Sequence, residues 1–174
     1  MEENWWKINS ETLIDTPFLA VYEVRLQHNI KHLIATVKGD VQKLRPHIKT
    51  HKTGEILDLF KVYGINKVKC ATIAEAELCA IHQISDILLA YQPVGLRGER
   101  WISLVQKYPL SEFSTIVDNI ESAKELNESA KKKQVQLTVY LDLNTGMNRT
   151  GFSVSEDWTA LAKEIMQLEN FHFA

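Results

Sequence analysis

The chain has 174 residues, 45% of them hydrophobic and 24% charged, and its 20 Lys+Arg against 22 Asp+Glu give a formal charge of -2. This is globular composition with enough chain to bury a core, as one domain or part of one. The near-balanced charge, with basic residues spread along the chain, argues against nucleic acid as a partner, and no apolar run is long enough to span a bilayer. Cys70 and Cys79 make no disulfide framework and Met1-Glu2-Glu3-Asn4 carries the wrong charge for a signal peptide, so a reducing, cytoplasmic setting is the default expectation.

Residues 1–16 are polar around Trp5 and Trp6 and predict an arm that packs against something else. After Thr16-Pro17, the apolar and β-branched run Phe18 to Val24 predicts a strand. From Arg25 to about Lys38, the spacing of Leu26, Ile30, Leu33, Ile34 and Val37 predicts a helix closed by Gly39-Asp40. A basic stretch, Arg45 to Lys52, then reads as a strand. Ile56 to Val62 predicts a helix ending at Gly64, Val68 to Ala71 a short strand, and Thr72-Ile73-Ala74-Glu75 a capping box opening a helix through Ile81. Asp86 to Tyr91 reads as a strand buried on both faces, with Tyr91 in the core. A helix near Glu99 to Lys107 follows, then a strand Phe113 to Val117, Asp118 as a plausible N-cap, and a helix Ile120 to Lys132. Val135 to Leu143 is the longest predicted strand. The loop Asn144 to Gly151, a helix Trp158 to Leu168 and an apolar strand from Phe171 to Ala174 complete the chain.

Strand and helix thus alternate with short connections, which predicts βα units on a parallel sheet. No Gly-x-Gly-x-x-Gly follows the first strand, so the dinucleotide-binding open sheet loses support. A closed eight-stranded barrel typically needs about 250 residues. The expectation is therefore a (β/α)8 TIM-type barrel that is incomplete, with about six barrel strands, in a fragment or a truncated sequence.

Arg45-Pro46-His47-Ile48-Lys49-Thr50-His51-Lys52 holds five basic or titratable side chains around one proline. If the stretch is extended, the two-residue period puts His47, Lys49 and His51 on one face. A lysine between positively charged neighbours and partly withdrawn from water has its ammonium form disfavoured, as a Schiff-base lysine requires. Two other readings stand beside this one. The stretch is a solvated basic turn, or His47 and His51 are a metal pair, which Pro46 and the β-branched neighbours disfavour because i and i+4 face together only on a helix.

In βα architectures the chemistry gathers where strands end. Those positions here are Lys49 to Lys52, Cys70 to Thr72, Tyr91 to Gly95, Asp118-Asn119 and Asp142 to Gly151. The last combines an acid, two glycines and Arg149, which either donates to an oxygen of a bound cofactor or substrate or pairs with a nearby acid. Gln92 either reaches a ligand or belongs to a turn. Asp118-Asn119 reads as a helix cap, and the two cysteines as small buried hydrophobes.

The stretch Arg45 to Lys52 resembles the signature of the D-threonine aldolase and D-serine dehydratase family, a branch of the alanine-racemase-like, fold type III pyridoxal phosphate enzymes. Ala71 to Glu77, Asp86 to Tyr91 and the loop Asp142 to Gly151 are similar to further segments of that fold, as is Thr16-Pro17 with Asn29-Ile30. The resemblance implies that Lys49 carries pyridoxal 5'-phosphate, that Arg149 faces its phenolic oxygen, and that His47 and Gln92 are further candidate cofactor contacts. It also implies a second, β-rich domain with a divalent-metal site whose ligands lie beyond Ala174, so no metal ligand is expected within this chain. In those terms residues 1–24 form an arm and strand that pack on the β domain, and residues 25–174 a partial cofactor-binding barrel.

The implied activity is that of a lyase cleaving small D-3-hydroxy amino acids to glycine and an aldehyde, in a homodimer when full length. The alternatives are a D-serine dehydratase, an amino-acid racemase, or a non-catalytic pyridoxal phosphate homeostasis protein of the same barrel type. With its barrel open, the 174-residue piece is expected to bind the cofactor poorly or not at all and to be inactive.

Overall fold

A computed structural model describes residues 4–174. The chain divides into two compact units, Met1–Val41 and Gln42–Ala174.

In the first unit, helix α1 (Glu23–Thr36) carries the predicted apolar stripe and ends where Lys38 and Gly39 take positive φ. The predicted strand over 18–24 does not form: residues 18–22 are irregular, Phe18, Leu19 and Val21 are exposed, and the helix begins at Glu23. A β-prone run becomes a strand only beside a partner edge, and among the described residues no strand pairs with it. Of the arm expected at 1–16, residues 1–3 fall outside the described part. Trp5 has its partners within the unit: its ring meets Tyr22 edge-on at 5.1 Å, and the Arg25 guanidinium lies 3.5 Å from its centroid.

The second unit alternates helix and strand as the periodicity predicts. α2 (Gly54–Val62) leads to β1 (Lys67–Cys70), α3 (Ile73–Ile81), β2 (Asp86–Leu89), α4 (Leu96–Lys107), β3 (Glu112–Val117), α5 (Ile120–Lys132) and β4 (Leu137–Leu141). A short parallel pair, β5 (Leu143–Asn144) and β6 (Phe152–Ser153), precedes α6 (Trp158–Ile165) and β7 (Phe171–Phe173). The main sheet has five strands in the order β1-β2-β3-β4-β7, every neighbouring pair parallel. A single bridge from His47 to Lys69 runs beside β1. The sheet therefore holds five strands rather than the expected six and does not close, an incomplete barrel of parallel βα units.

Burial alternates along β1 and β2, whereas Phe113, Ser114 and Thr115 of β3 are all buried. Val68, Cys70, Ile87, Leu89, Phe113, Val117, Leu137 and Val139 are buried, and Trp101 of α4 seals this face edge-on against Phe113 at 5.5 Å. The opposite face carries Lys67, Lys69, Asp86, Leu88, Thr138 and Tyr140, all half-buried. β2 is thus fully buried on one face and half-buried on the other, where the Arg45 guanidinium covers Asp86. β3, with six residues, is longer than β4, which covers Leu137–Leu141 of the predicted Val135 to Leu143; Leu143 belongs to β5.

Candidate active site at the carboxyl ends of the strands

The basic stretch is tied down at its start. The Arg45 guanidinium donates in bidentate fashion to Asp86, at 2.5 and 2.6 Å, and the Lys69 N–H donates to Pro46 O at 2.9 Å. Past the His47 bridge the strand expectation fails. Ile48–Thr50 is a turn of 3-10 helix, in which Lys49 N–H donates to His47 Nδ1 at 3.3 Å, and the N–H groups of His51 and Lys52 both return to Ile48 O. These local bonds offer the backbone an alternative to a ladder. The consequence is that His47, Lys49 and His51 do not line one strand face. Ile48 is fully buried, while Lys49 is exposed rather than drawn out of water.

The two imidazoles depart from expectation as well. Burial, and then the charges of Lys49 and Lys69, hold His47 below the ordinary histidine range, and burial does the same for His51. Both rings favour the neutral form, so they do not supply the positive charge expected beside Lys49. His51 Nδ1 accepts from Thr53 N–H at 3.1 Å, its ring meets Phe60 edge-on, and its buried Nε2 has no partner. Among the described residues no group of three or more His, Cys, Asp or Glu comes together in a way that would hold a metal ion.

At the end of β1 the predicted capping box forms with a shift of one residue. Thr72 Oγ1 accepts from Glu75 N–H at 3.2 Å, and Glu75 Oε2 reaches back to Ala71 N–H at 2.8 Å. Glu75 is buried, with its other oxygen 3.5 Å from Lys52 Nζ, so this carboxylate anchors the end of the basic stretch. Cys70 and Cys79 are fully buried and unpaired, as expected of small hydrophobes, and burial raises both thiols, Cys79 to about 12. A cavity of about 410 Å³ opens between the ends of β1 and β2, lined in part by Thr72, Tyr91, Gln92, Arg97 and Arg100. Tyr91 is exposed there rather than in the core.

Gln92 is buried and its amide is engaged. Nε2 donates to Asp118 Oδ2 at 2.6 Å and to Asp142 Oδ2 at 3.3 Å, joining the ends of β2, β3 and β4. Asp118 is not the helix cap; Asn119 is, accepting from Ser122 N–H at 2.8 Å. The loop after β4 is held at both ends. Asn144 Oδ1 accepts from Gly146 and Asn148 N–H, each at 3.0 Å, while Gly151 N–H donates to Asp118 Oδ2 at 3.2 Å and Phe152 N–H to Asp142 O at 2.8 Å. Arg149 is exposed between these anchors. Sequence reasoning missed Asn144 as the organiser of this loop, although an Asn two residues before a glycine is a turn signal. It also missed Asp118 and Asp142 as the partners of Gln92, which nothing local announces.

Because all the strands are parallel, Lys49, Gln92, Asp118 and Arg149 follow the carboxyl ends of the sheet and share one rim. Among the described residues, the Lys49 amine and the Arg149 guanidinium have neither a hydrogen bond nor an ion pair. An uncommitted primary amine suits an aldehyde carbon, and an uncommitted guanidinium suits an oxyanion, so this donor set fits pyridoxal phosphate at its aldehyde and phenolic oxygen.

The fold defines a parallel α/β protein, an incomplete barrel. The chain belongs to the alanine racemase N-terminal domain family, whose model matches residues 22–174. It is 26% identical over 161 residues to the D-threonine aldolase of an Arthrobacter species, covering 92% of this chain and 42% of that protein. To the D-threo-3-hydroxyaspartate dehydratase of Delftia sp. strain HT23 it is 24% identical over 149 residues, covering 86% of this chain and 39% of the relative. The crystal structure of D-threonine aldolase from Filomicrobium marinum superposes with a TM-score of 0.83 at 25% identity, over 92% of this chain and 43% of that one. The chain thus spans about two fifths of the length of these relatives, and the family resemblance read from the sequence is borne out.

Proposed function

We propose that Lys49 is the residue to which pyridoxal phosphate attaches, that Arg149 donates to the cofactor's phenolic oxygen, and that the complete protein is a lyase acting on D-3-hydroxy amino acids. The observation that carries this reading is the pairing on one rim of an amine and a guanidinium that nothing else in the described chain engages. When bound, the cofactor supplies an electron-withdrawing ring that stabilises negative charge at the substrate's α carbon. The chain's own residues do the rest at this rim. Lys49 would offer the nucleophile and Arg149 a charge-assisted bond to the cofactor's phenolic oxygen, while His47, which accepts the Lys49 N–H, orients the turn that presents Lys49. The cavity lined by Arg97 and Arg100 suits the carboxylate of a small amino acid. The exposed apolar side chains of Leu13, Phe18, Leu19 and Val21 support the reading of residues 1–24 as an arm covered by a β-rich domain, the one that would hold the divalent metal.

Retro-aldol cleavage of such a substrate yields glycine and an aldehyde. The dehydratase reading, supported by the similarity to the Delftia enzyme, yields a keto acid and ammonia. Borohydride trapping of a chain of the relatives' length with pyridoxal phosphate tests attachment. The expected result is a reduced adduct found predominantly on the peptide containing Lys49 and lost in Lys49→Ala, with Arg149→Ala raising the cofactor concentration for half-labelling by roughly tenfold or more. Equal labelling of the exposed lysines would overturn the assignment. With D-threonine, acetaldehyde and glycine mark the aldolase and 2-oxobutyrate with ammonia the dehydratase in a chain of the relatives' length; the 174-residue chain, with its sheet open, is expected to turn over neither.

A further inference from the structure

We propose that Gln92 and Asp118 are positioning residues, a latch that holds the Arg149 loop against the sheet; this rests on the reading of Arg149 as functional. A side-chain amide nitrogen has two hydrogens, and those of Gln92 are directed to two different carboxylates, Asp118 Oδ2 at 2.6 Å and Asp142 Oδ2 at 3.3 Å. With acceptors on both sides, the nitrogen and not the oxygen of the amide must face them. The two acids cap adjacent strands, and without a donor between them they would be left as neighbouring like charges. The same Asp118 oxygen accepts the Gly151 N–H at 3.2 Å, while its Oδ1 accepts from Asn119 Nδ2 at 3.3 Å.

Gly151 is two residues past Arg149, and Asn148, one residue before it, is knotted to Asn144. Arg149 and Thr150 therefore form a short span whose downstream anchor is the Asp118 carboxylate. The placement of that carboxylate is set in turn by Gln92, which is buried and lies just past the end of a different strand, β2. Gln92 thus acts on the rim through Asp118 and not by touching a ligand with its nitrogen.

The latch is tested on the 174-residue chain without any cofactor, by native-state trypsin cleavage at the Arg149–Thr150 bond and by hydrogen exchange at the Gly151 amide. Gln92→Met, which keeps shape and removes the donor, and Asp118→Ala are each expected to speed cleavage at this bond about tenfold relative to the other Lys and Arg sites, with Gly151 exchange rising in step. Asp118→Asn, which retains an acceptor oxygen, is expected to restore most of the protection. If cleavage at Arg149 is unchanged, or if all sites accelerate together with a falling urea midpoint, the two residues are structural only and the proposal fails. Failure to trap cofactor on Lys49 leaves these readouts untouched, so the functional reading and the latch fail separately.

Discussion

Gly151 is the residue at which the arginine loop returns to the sheet, and a side chain has no room there. Its φ is +97°, and an added Cβ would lie 2.6 Å from Asn144 N and 2.7 Å from Leu143 C, both backbone atoms. Gly146, in the same loop at φ +116°, has nothing within 4 Å of that position. Gly151→Ala is therefore expected to cost about 2–4 kcal/mol, combining left-handed strain with overpacking, and Gly146→Ala only about 1–2 kcal/mol from strain alone. Urea denaturation of the two variants checks the order. At this scale the sequence is legible where chemistry resides in the residue type itself. Lys49 and Arg149 stand out as a lysine among basic neighbours and an arginine between glycines. The partners of Gln92 do not, since they lie 26 and 50 positions away and meet it only through the strand order.

The elements follow their local signals wherever those signals are complete. Thr72 caps α3 with Glu75 in its capping-box position, and α5 runs from Ile120 to Lys132 as its periodicity predicts. The stretches 18–24 and 46–51 share β-prone composition, yet neither is a strand, because a strand is completed by its neighbour and one sequence does not announce which edge is vacant. Among the described residues the largest fully buried side chain is Trp101, packed edge-on against Phe113 with an indole N–H that lacks a partner. Trp101→Ala is expected to lose about 3–5 kcal/mol. Trp101→Phe is expected to lose much less, because it also removes an unsatisfied buried donor. Denaturation midpoints in the order wild type, Phe, Ala check this, and equal losses for both variants would contradict it.

For the whole molecule, the lowered pKa values of His47 and His51 have a definite sign. The native chain binds fewer protons than the unfolded one once the pH drops below about 6.5. Stability from these groups is therefore fully present above that pH and is lost on acidification through their folded values. Asp58, Glu77 and Asp157, each held below the ordinary carboxylate range by hydrogen-bonded partners, act in the same direction at lower pH. Urea midpoints are expected to fall between about pH 7.5 and about pH 5, and His51→Asn, which keeps an acceptor for Thr53 N–H, should shrink that fall. A midpoint that rises on acidification would be the opposite of what burial predicts. The parallel α/β architecture was legible as a whole from the alternation of periods. The number of strands was not, since the basic stretch contributes one bridge and then a turn.

The bidentate bond from Arg45 to Asp86 links places that seem unrelated on the sheet. Asp86 opens β2 at the floor, whereas Lys49, only four residues beyond Arg45, stands on the rim above. The stretch between is fastened to β1 by little besides the bridge at His47 and the bond to Pro46 O. The height at which the amine stands thus depends in part on an ionic anchorage on the next strand but one, beside the buried Ile48 and the Lys52–Glu75 pair. A neutral residue at Asp86 would remove one support of that height without altering any group near the lysine.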